Sequence, residues 1–461
     1  MATTDVDGVT TAEPPQPSTR RERTGWYFYD WANSAFSTTV VAVFIGPYLT
    51  GIAEGAAGCE TDEACRLASV NVLGFNLAVG SFYPTVIAIA VVINVLILPI
   101  IGAIADRSAH KRRLLGLTAF TGAGATTALI FVTEGRYLFG ALLVILATMA
   151  FSASIVVSNS FLPQLATEDQ RDKVSSTGWA IGYLGGGLLL ALNLVALIML
   201  EDTYGAGTMA RWSLASAGVW WALFTLIPLR WLKDRPPTHL VPAQGGLLSS
   251  GFRQLWDTIR HLRSFKLTLF FLGAYLIYND GIQTVINLAS VYGTEELRLE
   301  QSTLIITILI VQFLAFFGAL GLGRMAVVIG AWKTVLISLV LWIAVVLAAY
   351  WLPAGDPTKF MILGGAIGIV LGGSQALSRS LFSQLIPAGK EAEYFGFYEI
   401  SDKGTSWLGP ALFALVFQLT HSYRLGVVSV IVFFVIGFVL LLFVPMRRAI
   451  EAAGNTPPRV L

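Results

Sequence analysis

A few ionisable and amide side chains interrupt long apolar stretches of this sequence, and their chemistry needs an explanation. Asp30 and Asn33 lie near the beginning of the chain, whereas Asn279, Asp280 and Gln283 lie together beyond its middle. An ionisable side chain at the centre of a bilayer costs about 2.5–3.5 kcal/mol, so one that persists usually faces a cavity or a partner. These residues therefore predict a polar pathway for a small solute or an ion.

A second polar group lies toward the ends of two later apolar stretches. It contains two bases, Arg379 and Lys403, and two acids, Glu399 and Asp402. Two bases and two acids can pair and so lower the cost of burial, which predicts a structural ion-pair network. Alternatively, Arg379 and Asp280 provide the cation and the anion of an amino-acid site, or Asp280 takes up a proton.

The composition indicates which elements carry these residues. Of the 461 residues, 55% are hydrophobic and 13% are charged, which is about half the charged fraction of a soluble globular protein. The mean hydropathy is +0.70. A formal net charge of +2 excludes a strongly basic nucleic-acid binder. We therefore expect an integral membrane protein that crosses the bilayer several times.

Twelve apolar stretches are long enough to cross a bilayer, which takes about 20 residues of helix. Lipid offers no partner to an unpaired backbone amide, so each stretch is expected to be helical. The predicted spans are 26–50, 81–105, 114–132, 137–162, 174–200, 212–232, 266–292, 302–323, 332–352, 359–386, 395–420 and 425–445. A weak internal repeat relates the two halves. The predicted fold class is an all-α membrane protein with two pseudo-symmetric six-helix bundles.

The loops predict the domain organisation and the orientation. Most of the 30 Lys and Arg residues lie in segments that fall inside if both termini are cytoplasmic, as positively charged loops usually do. The predicted parts are a disordered tail (1–24), an N-terminal bundle (25–232), a cytoplasmic linker (233–265), a C-terminal bundle (266–446) and a second tail (447–461). The linker contains either an amphipathic interfacial helix or a solvated segment. We expect location in a bacterial cell membrane.

The cysteines and histidines narrow the functional class. Cys59 and Cys65 share one predicted outside loop, where oxidising conditions permit a disulfide, and two free thiols are the alternative. The four His residues are scattered and give neither a metal cluster nor a nucleophile with its base. The sequence lacks the phosphate-binding loop of ATP-driven pumps. We therefore expect no cofactor, no metal and no enzymatic activity.

The junction of the second and third spans carries a distinctive pattern of glycine, acid and bases. It reads Gly102-Ala-Ile-Ala-Asp106-Arg107-Ser-Ala-His-Lys111-Arg112-Arg113. This resembles the major facilitator superfamily motif Gly-x-x-x-Asp-Arg-x-x-x-Arg/Lys-Arg/Lys. Glycine permits close helix approach, and Asp106 can cap the N-terminus of a facing helix. The bases can anchor the loop at the inner headgroups. The resemblance implies a loop that locks the inner gate of a transporter, whereas an ordinary basic loop would leave the Gly/Asp spacing unexplained.

A narrower resemblance begins in the first span, at Tyr29-Asp30-Trp31-Ala32-Asn33-Ser34-Ala35-Phe36. This segment resembles the signature of the autophagy-related vacuolar effluxer family and its bacterial relatives. Tyr278-Asn279-Asp280-Gly281 and the stretch from Arg171 to Gly186 support it. The resemblance implies efflux or exchange of small solutes, amino acids being the substrates associated with fungal members.

Two other functions remain open at this point: a multidrug or metabolite proton antiporter, and a membrane sensor or scaffold that transports nothing. The expected partners are a small-molecule substrate, protons as a candidate coupling ion, and the lipid bilayer. We expect a monomer and no nucleic-acid partner.

Overall fold

A computed structural model describes residues 18–59, 68–72, 74–236, 266–403 and 407–461, with the side chains of residues 301 and 403 excepted. The helices of the N-terminal half are α1 (Arg20–Ala56), α2 (Val79–Arg107), α3 (Lys111–Phe131), α4 (Tyr137–Leu165), α5 (Glu168–Tyr204) and α6 (Ala206–Trp231). Those of the C-terminal half are α7 (Lys266–Glu296), α8 (Gln301–Ile329), α9 (Ala331–Tyr350), α10 (Pro357–Gln384), α11 (Glu391–Lys403), α12 (Leu408–Thr420), α13 (Tyr423–Phe443) and α14 (Met446–Ala452).

These helices confirm the predicted fold class. Among the described residues, eleven helices are long and apolar enough to cross a bilayer. The two shorter helices α11 and α12 lie where the sequence predicts the span 395–420, and residues 404–406 between them are outside the described residues. The predicted amphipathic helix of the linker also lies outside them.

The boundary of the N-terminal tail is a correction. The predicted tail ends at residue 24, but α1 already begins at Arg20. Thr19 Oγ1 accepts a hydrogen bond from the Glu22 amide at 3.2 Å, and the Glu22 carboxylate accepts one from the Thr19 amide at 2.8 Å. This capping box satisfies two amide groups that a helix start otherwise leaves unpaired.

The segment between α1 and α2 contains structure that the apolar pattern does not predict. Strands β1 (Ser69–Val72) and β2 (Phe75–Ala78) pair in antiparallel register, with Val72 opposite Phe75. Strands of four residues are too short to produce a clear two-residue alternation. Cys59 is not a free thiol, whereas Cys65 lies outside the described residues, so their pairing stays a prediction.

Each half packs as a bundle, and the two bundles meet along a seam. In the first half α1 packs on α5 and α6, and α3 packs on α4 and α6. In the second half α8 packs on α10, and α7 packs on α13. The seam is formed by α5 against α8 and α10 and by α2 against α11. A groove of about 440 Å³ between α3 and α6 is lined by apolar residues such as Phe120 and Leu223, and the predicted site residues are not among its lining.

Candidate functional site

Arg379 on α10 inserts its guanidinium group into the N-terminal bundle, among α1, α4 and α5. Nη1 and Nη2 donate to Asp30 Oδ2 at 3.2 and 3.1 Å, and Nη1 also donates to Asn159 Oδ1 at 3.2 Å. Nε and Nη2 donate to the hydroxyl and the carbonyl oxygen of Ser175, both at 3.0 Å. Five hydrogen bonds thus match the five N–H groups of arginine. Arg379 is only 3% exposed. Its guanidinium group is therefore a buried charge whose hydrogen-bond donors all have partners.

Aromatic rings and one glycine complete the surroundings of the guanidinium. Its central carbon lies 4.7 Å from the ring centroid of Trp26 and 5.3 Å from that of Trp179, distances suited to cation–π attraction. A Cβ added at Gly178 would lie 2.6 Å from Asp30 Oδ2 and 3.2 Å from Arg379 Nη2. Glycine is therefore the residue that lets α5 approach the ion pair.

The partner of Arg379 differs from the sequence expectation. The sequence predicts a pair with Glu399 or Asp402, or a joint site with Asp280, whereas all five donors are taken by α1, α4 and α5. Asp30 and Arg379 are 349 positions apart, so no local spacing could reveal their contact.

Asp106 forms a second connection between the bundles. Its two carboxylate oxygens accept hydrogen bonds from the amides of Ala392 and Glu393, each at 2.9 Å. These amides belong to the first turn of α11, so the prediction that Asp106 caps a facing helix is confirmed. Lys111 Nζ lies 3.3 Å from Asp106 Oδ1. A Cβ at Gly102 would collide with the Ala392 carbonyl, which explains the glycine of the motif.

The remaining bases of the motif lie at the rim of this contact. The Arg112 amide donates to Asp234 Oδ1 at 2.8 Å, and Arg112 Nε lies 3.7 Å from Asp234 Oδ2. This ties the beginning of α3 to the residues that follow α6. Arg107 is half-buried at the end of α2.

Three further residues of α5 contact α10 and were not identified as site residues from the sequence. Arg171 Nη1 donates to the carbonyl oxygen of Ser383 at 3.0 Å, and Ser380 Oγ donates to Asp172 Oδ1 at 2.6 Å. The Ser175 hydroxyl donates to the carbonyl oxygen of Ala376 at 2.7 Å. The family-like stretch from Arg171 to Gly186 was the available signal, although it does not say which side chains cross the seam.

The predicted residues of α7 fall into two groups. Asn279 Nδ2 donates to Asp402 Oδ1 at 2.9 Å and its oxygen accepts from Gln375 Nε2 at 2.8 Å, while Tyr275 donates to the same Asp402 oxygen at 2.9 Å. This places Asp402 in a polar network inside the C-terminal bundle. Gln283 is half-buried one turn further along α7. On α1, the Asn33 amide donates to the carbonyl oxygen of its own helix at Tyr29.

Asp280 lies on another face of α7. It is 1% exposed, and neither carboxyl oxygen has a hydrogen-bond partner within the described residues. Glu399 on α11 is also buried, and the side chain of Lys403 lies outside the described residues. The structure thus separates Asp280 from the Asp30–Arg379 pair.

Known proteins resemble this chain along almost its whole length. The family described as "Vacuole effluxer Atg22 like" matches residues 18–454. The MFS-type transporter YxiO of Bacillus subtilis is 29% identical, over 94% of this chain and 97% of its own. Autophagy-related protein 22 of Pyricularia oryzae is 26% identical, over 89% of this chain and 74% of its own.

Solved structures support the same fold. The human organic anion transporter MFSD10 has a TM-score of 0.63 at 16% identity and covers 93% of this chain and 100% of its own. The Escherichia coli fucose:proton symporter FucP has a TM-score of 0.66 at 11% identity and covers 92% of this chain and 97% of its own. At these identities the likeness concerns the fold alone. The family match and the fold together establish that the chain belongs to the vacuole effluxer Atg22-like family and is a major facilitator transporter rather than an enzyme.

Proposed function

We propose that this transporter moves a small polar solute by alternating access, as an effluxer or exchanger, with amino acids or related metabolites as its substrates. The observation that carries the proposal is the buried ion pair between Asp30 and Arg379, which joins the two bundles. The Asp106 contact and the bonds between α5 and α10 lie at the same end of the helices. A transporter that opens alternately to two sides needs such a breakable connection at one end.

We assign this end to the cytoplasm. The α2–α3 loop and α14 lie there and carry basic residues, as cytoplasmic loops usually do; these are Arg107, Lys111, Arg112, Arg113, Arg447 and Arg448. Both termini would then be cytoplasmic, and the described state would be closed to the cytoplasm. The relationship to a Bacillus transporter supports a bacterial cell membrane, and we propose that the chain acts there as a monomer.

Opening of the cytoplasmic end separates Arg379 from Asp30. Leaving one member of a buried ion pair without its partner typically costs about 3–5 kcal/mol, so the closed state is favoured until other charges replace the lost ones. An amino acid carries an ammonium group for Asp30 and a carboxylate for Arg379. This complementarity favours amino acids over solutes with a single charge.

The Asp106 contact provides a second gate element. Its hydrogen bonds to α11 break when α2 leaves α11, and so does the ion pair of Lys111 with Glu391 at the start of α11. Gly102 allows the close approach in the closed state. Arg107 and Arg112 hold the loop at the membrane surface, so that Asp106 meets the same amides of α11 each time the gate closes.

The polar residues of the C-terminal bundle supply candidates for the solute pathway. Asn279 and Gln283 lie one turn apart on α7, and Asp402 accepts hydrogen bonds from Tyr275 and Asn279. We place the solute between this network and Asn33 on α1. Glu399, Asp402 and Lys403 then adjust the position of α11 as the gate moves.

We assign the coupling proton to Asp280. A buried carboxyl group without hydrogen-bond donors is more stable neutral than ionised, because burial removes the hydration of the anion. Asp280 would keep its proton in the described state and release it when water or a cationic group reaches it. The same residue would serve a drug or metabolite proton antiporter, which is the second candidate function.

Transport in proteoliposomes tests the proposal with three solutes of one shape. These are leucine, 3-methylbutylamine without the carboxylate, and 4-methylpentanoate without the ammonium. We expect wild-type protein to move leucine far faster than the other two, and Arg379→Gln to abolish the preference. Equal flux of the amine would favour the antiporter, and no leucine flux above that of empty liposomes would contradict the amino-acid proposal.

A further inference from the structure

The segment that follows α14 runs across the closed end of the molecule. α14 packs on α7, and its residues Ala449 and Ile450 are buried. Beyond it, Asn455 Nδ2 donates to the carbonyl oxygens of Gln384 and Ile386, both at 2.8 Å. The last carbonyl groups of a helix lack partners within the helix, so Asn455 caps the end of α10 and fixes the segment to the C-terminal bundle.

Four residues later the same segment contacts the N-terminal bundle. The Arg459 amide donates to Asp169 Oδ1 at 2.8 Å, and Arg459 Nε lies 3.4 Å from Asp169 Oδ2. Asp169 belongs to the first turn of α5. Leu461 then returns to the C-terminal bundle, where its backbone fills the space that a Cβ at Gly330 would need. The chain thus crosses the seam to α5 and back within six residues.

We infer that residues 455–461 form a strap that holds the seam between α5 and the α8–α10 pair closed. Opening this end moves Asp169 away from Gln384 and Gly330. Because Asn455 and Leu461 are both fixed to the C-terminal bundle, this movement must break the contacts of Arg459 with Asp169 or detach the strap. The strap therefore lowers the fraction of molecules in which the seam is open. This inference rests on the proposed alternating access, but it does not depend on which solute is transported.

The exposure of the contact determines its strength. The side chains of Arg459 and Asp169 are 92% and 45% exposed, and an exposed ion pair changes an equilibrium by about two- to fivefold. The strap thus shifts the equilibrium toward the closed seam without preventing opening. High salt screens exposed charges, so this stabilisation of the closed seam weakens as ionic strength rises.

Spin-label distances across the seam test this inference without any solute. Labels are attached to cysteines that replace the exposed Lys173 on α5 and Arg324 on α8, in a Cys59→Ser and Cys65→Ser background. The variants are Asp169→Ala, Arg459→Ala and truncation after Asn455, which keeps the cap of α10. Arg447→Ala is the matched control, because it removes an exposed arginine of α14 and leaves the strap intact.

We expect each strap variant to raise the population with the longer distance by about two- to fivefold, and the control to match wild type. A distance distribution identical to wild type in Asp169→Ala and in the truncated chain would overturn the strap. Such a result would leave the proposed alternating access intact if wild-type protein shows both the shorter and the longer distance. Failure of the strap is therefore distinguishable from failure of alternating access.

Discussion

Substitution of Gly178 by alanine probes the ion pair between the bundles without removing either charged group. The new methyl carbon would lie 2.6 Å from Asp30 Oδ2 and 2.8 Å from Trp26 Cζ3. Neither neighbour can move freely, since Asp30 is bonded to Arg379 and the Trp26 indole donates to the carbonyl oxygen of Ser158 at 2.8 Å. Either Asp30 retreats from Arg379 or α5 moves away from α1.

The size of the effect follows from these two responses. Because α1 and α5 belong to the same bundle, the cost of overpacking between them falls on the open and the closed state alike. Weakening the charge-assisted hydrogen bonds to Arg379 costs about 1.5–3 kcal/mol in the closed state alone. We take about 2 kcal/mol as the destabilisation of the closed state. Since about 1.4 kcal/mol corresponds to a factor of ten, the ratio of open to closed molecules should rise about 30-fold.

Distance measurements between labels at positions 173 and 324 detect this change. Gly273→Ala is the matched control, because the added Cβ meets no atom within 4 Å. We expect Gly178→Ala to show a dominant longer distance and the control to keep the wild-type distribution. A Gly178→Ala protein that stays closed and transports at the wild-type rate would refute the reasoning that the ion pair controls this end.

Three other substitutions give separate tests. Asp106→Asn weakens the two hydrogen bonds to α11 and the ion pair with Lys111, so we expect about 1–2 kcal/mol less stability of the closed end, seen as a larger long-distance population; an unchanged population would contradict the gate role. Asp280→Asn cannot release a proton, so flux should lose its dependence on the pH gradient, and an unaltered pH profile would exclude this residue as the proton site. Arg424→Lys removes the planar guanidinium group that binds Glu296 and two carbonyl oxygens at the end of α9. The free energy of unfolding in detergent should therefore fall by about 1–2 kcal/mol. An unchanged unfolding temperature would show that these hydrogen bonds do not stabilise the protein.

The sequence predicted the helices well because lipid leaves few alternatives to an apolar helix. It failed at α1, whose start depends on a capping box formed by polar residues outside the apolar stretch. It also missed the antiparallel strands β1 and β2, which are too short to carry a pattern of their own.

The site was only partly predictable, for a related reason. The Asp106 cap follows from a local motif whose glycine, acid and bases have fixed spacing, and the structure places it as expected. The pairing of Asp30 with Arg379 depends on how two bundles meet, so only tertiary structure reveals it. Hydrogen bonding likewise separates two adjacent residues, since Asn279 bonds to Asp402 and Gln375 whereas Asp280 has no hydrogen-bond partner within the described residues.

A reversible disulfide across the seam tests the central claim, that this end must open during transport. A Cβ at Gly323 would lie 2.5 Å from Ser176 Cβ, so a Ser176→Cys and Gly323→Cys pair needs about 1 Å of outward movement to reach the usual separation in a disulfide. The measurement is leucine flux through this variant, without Cys59 and Cys65, in proteoliposomes. We predict flux in the reduced protein, loss of flux on oxidation and recovery with reductant. Equal flux in the oxidised, fully cross-linked protein would contradict the account.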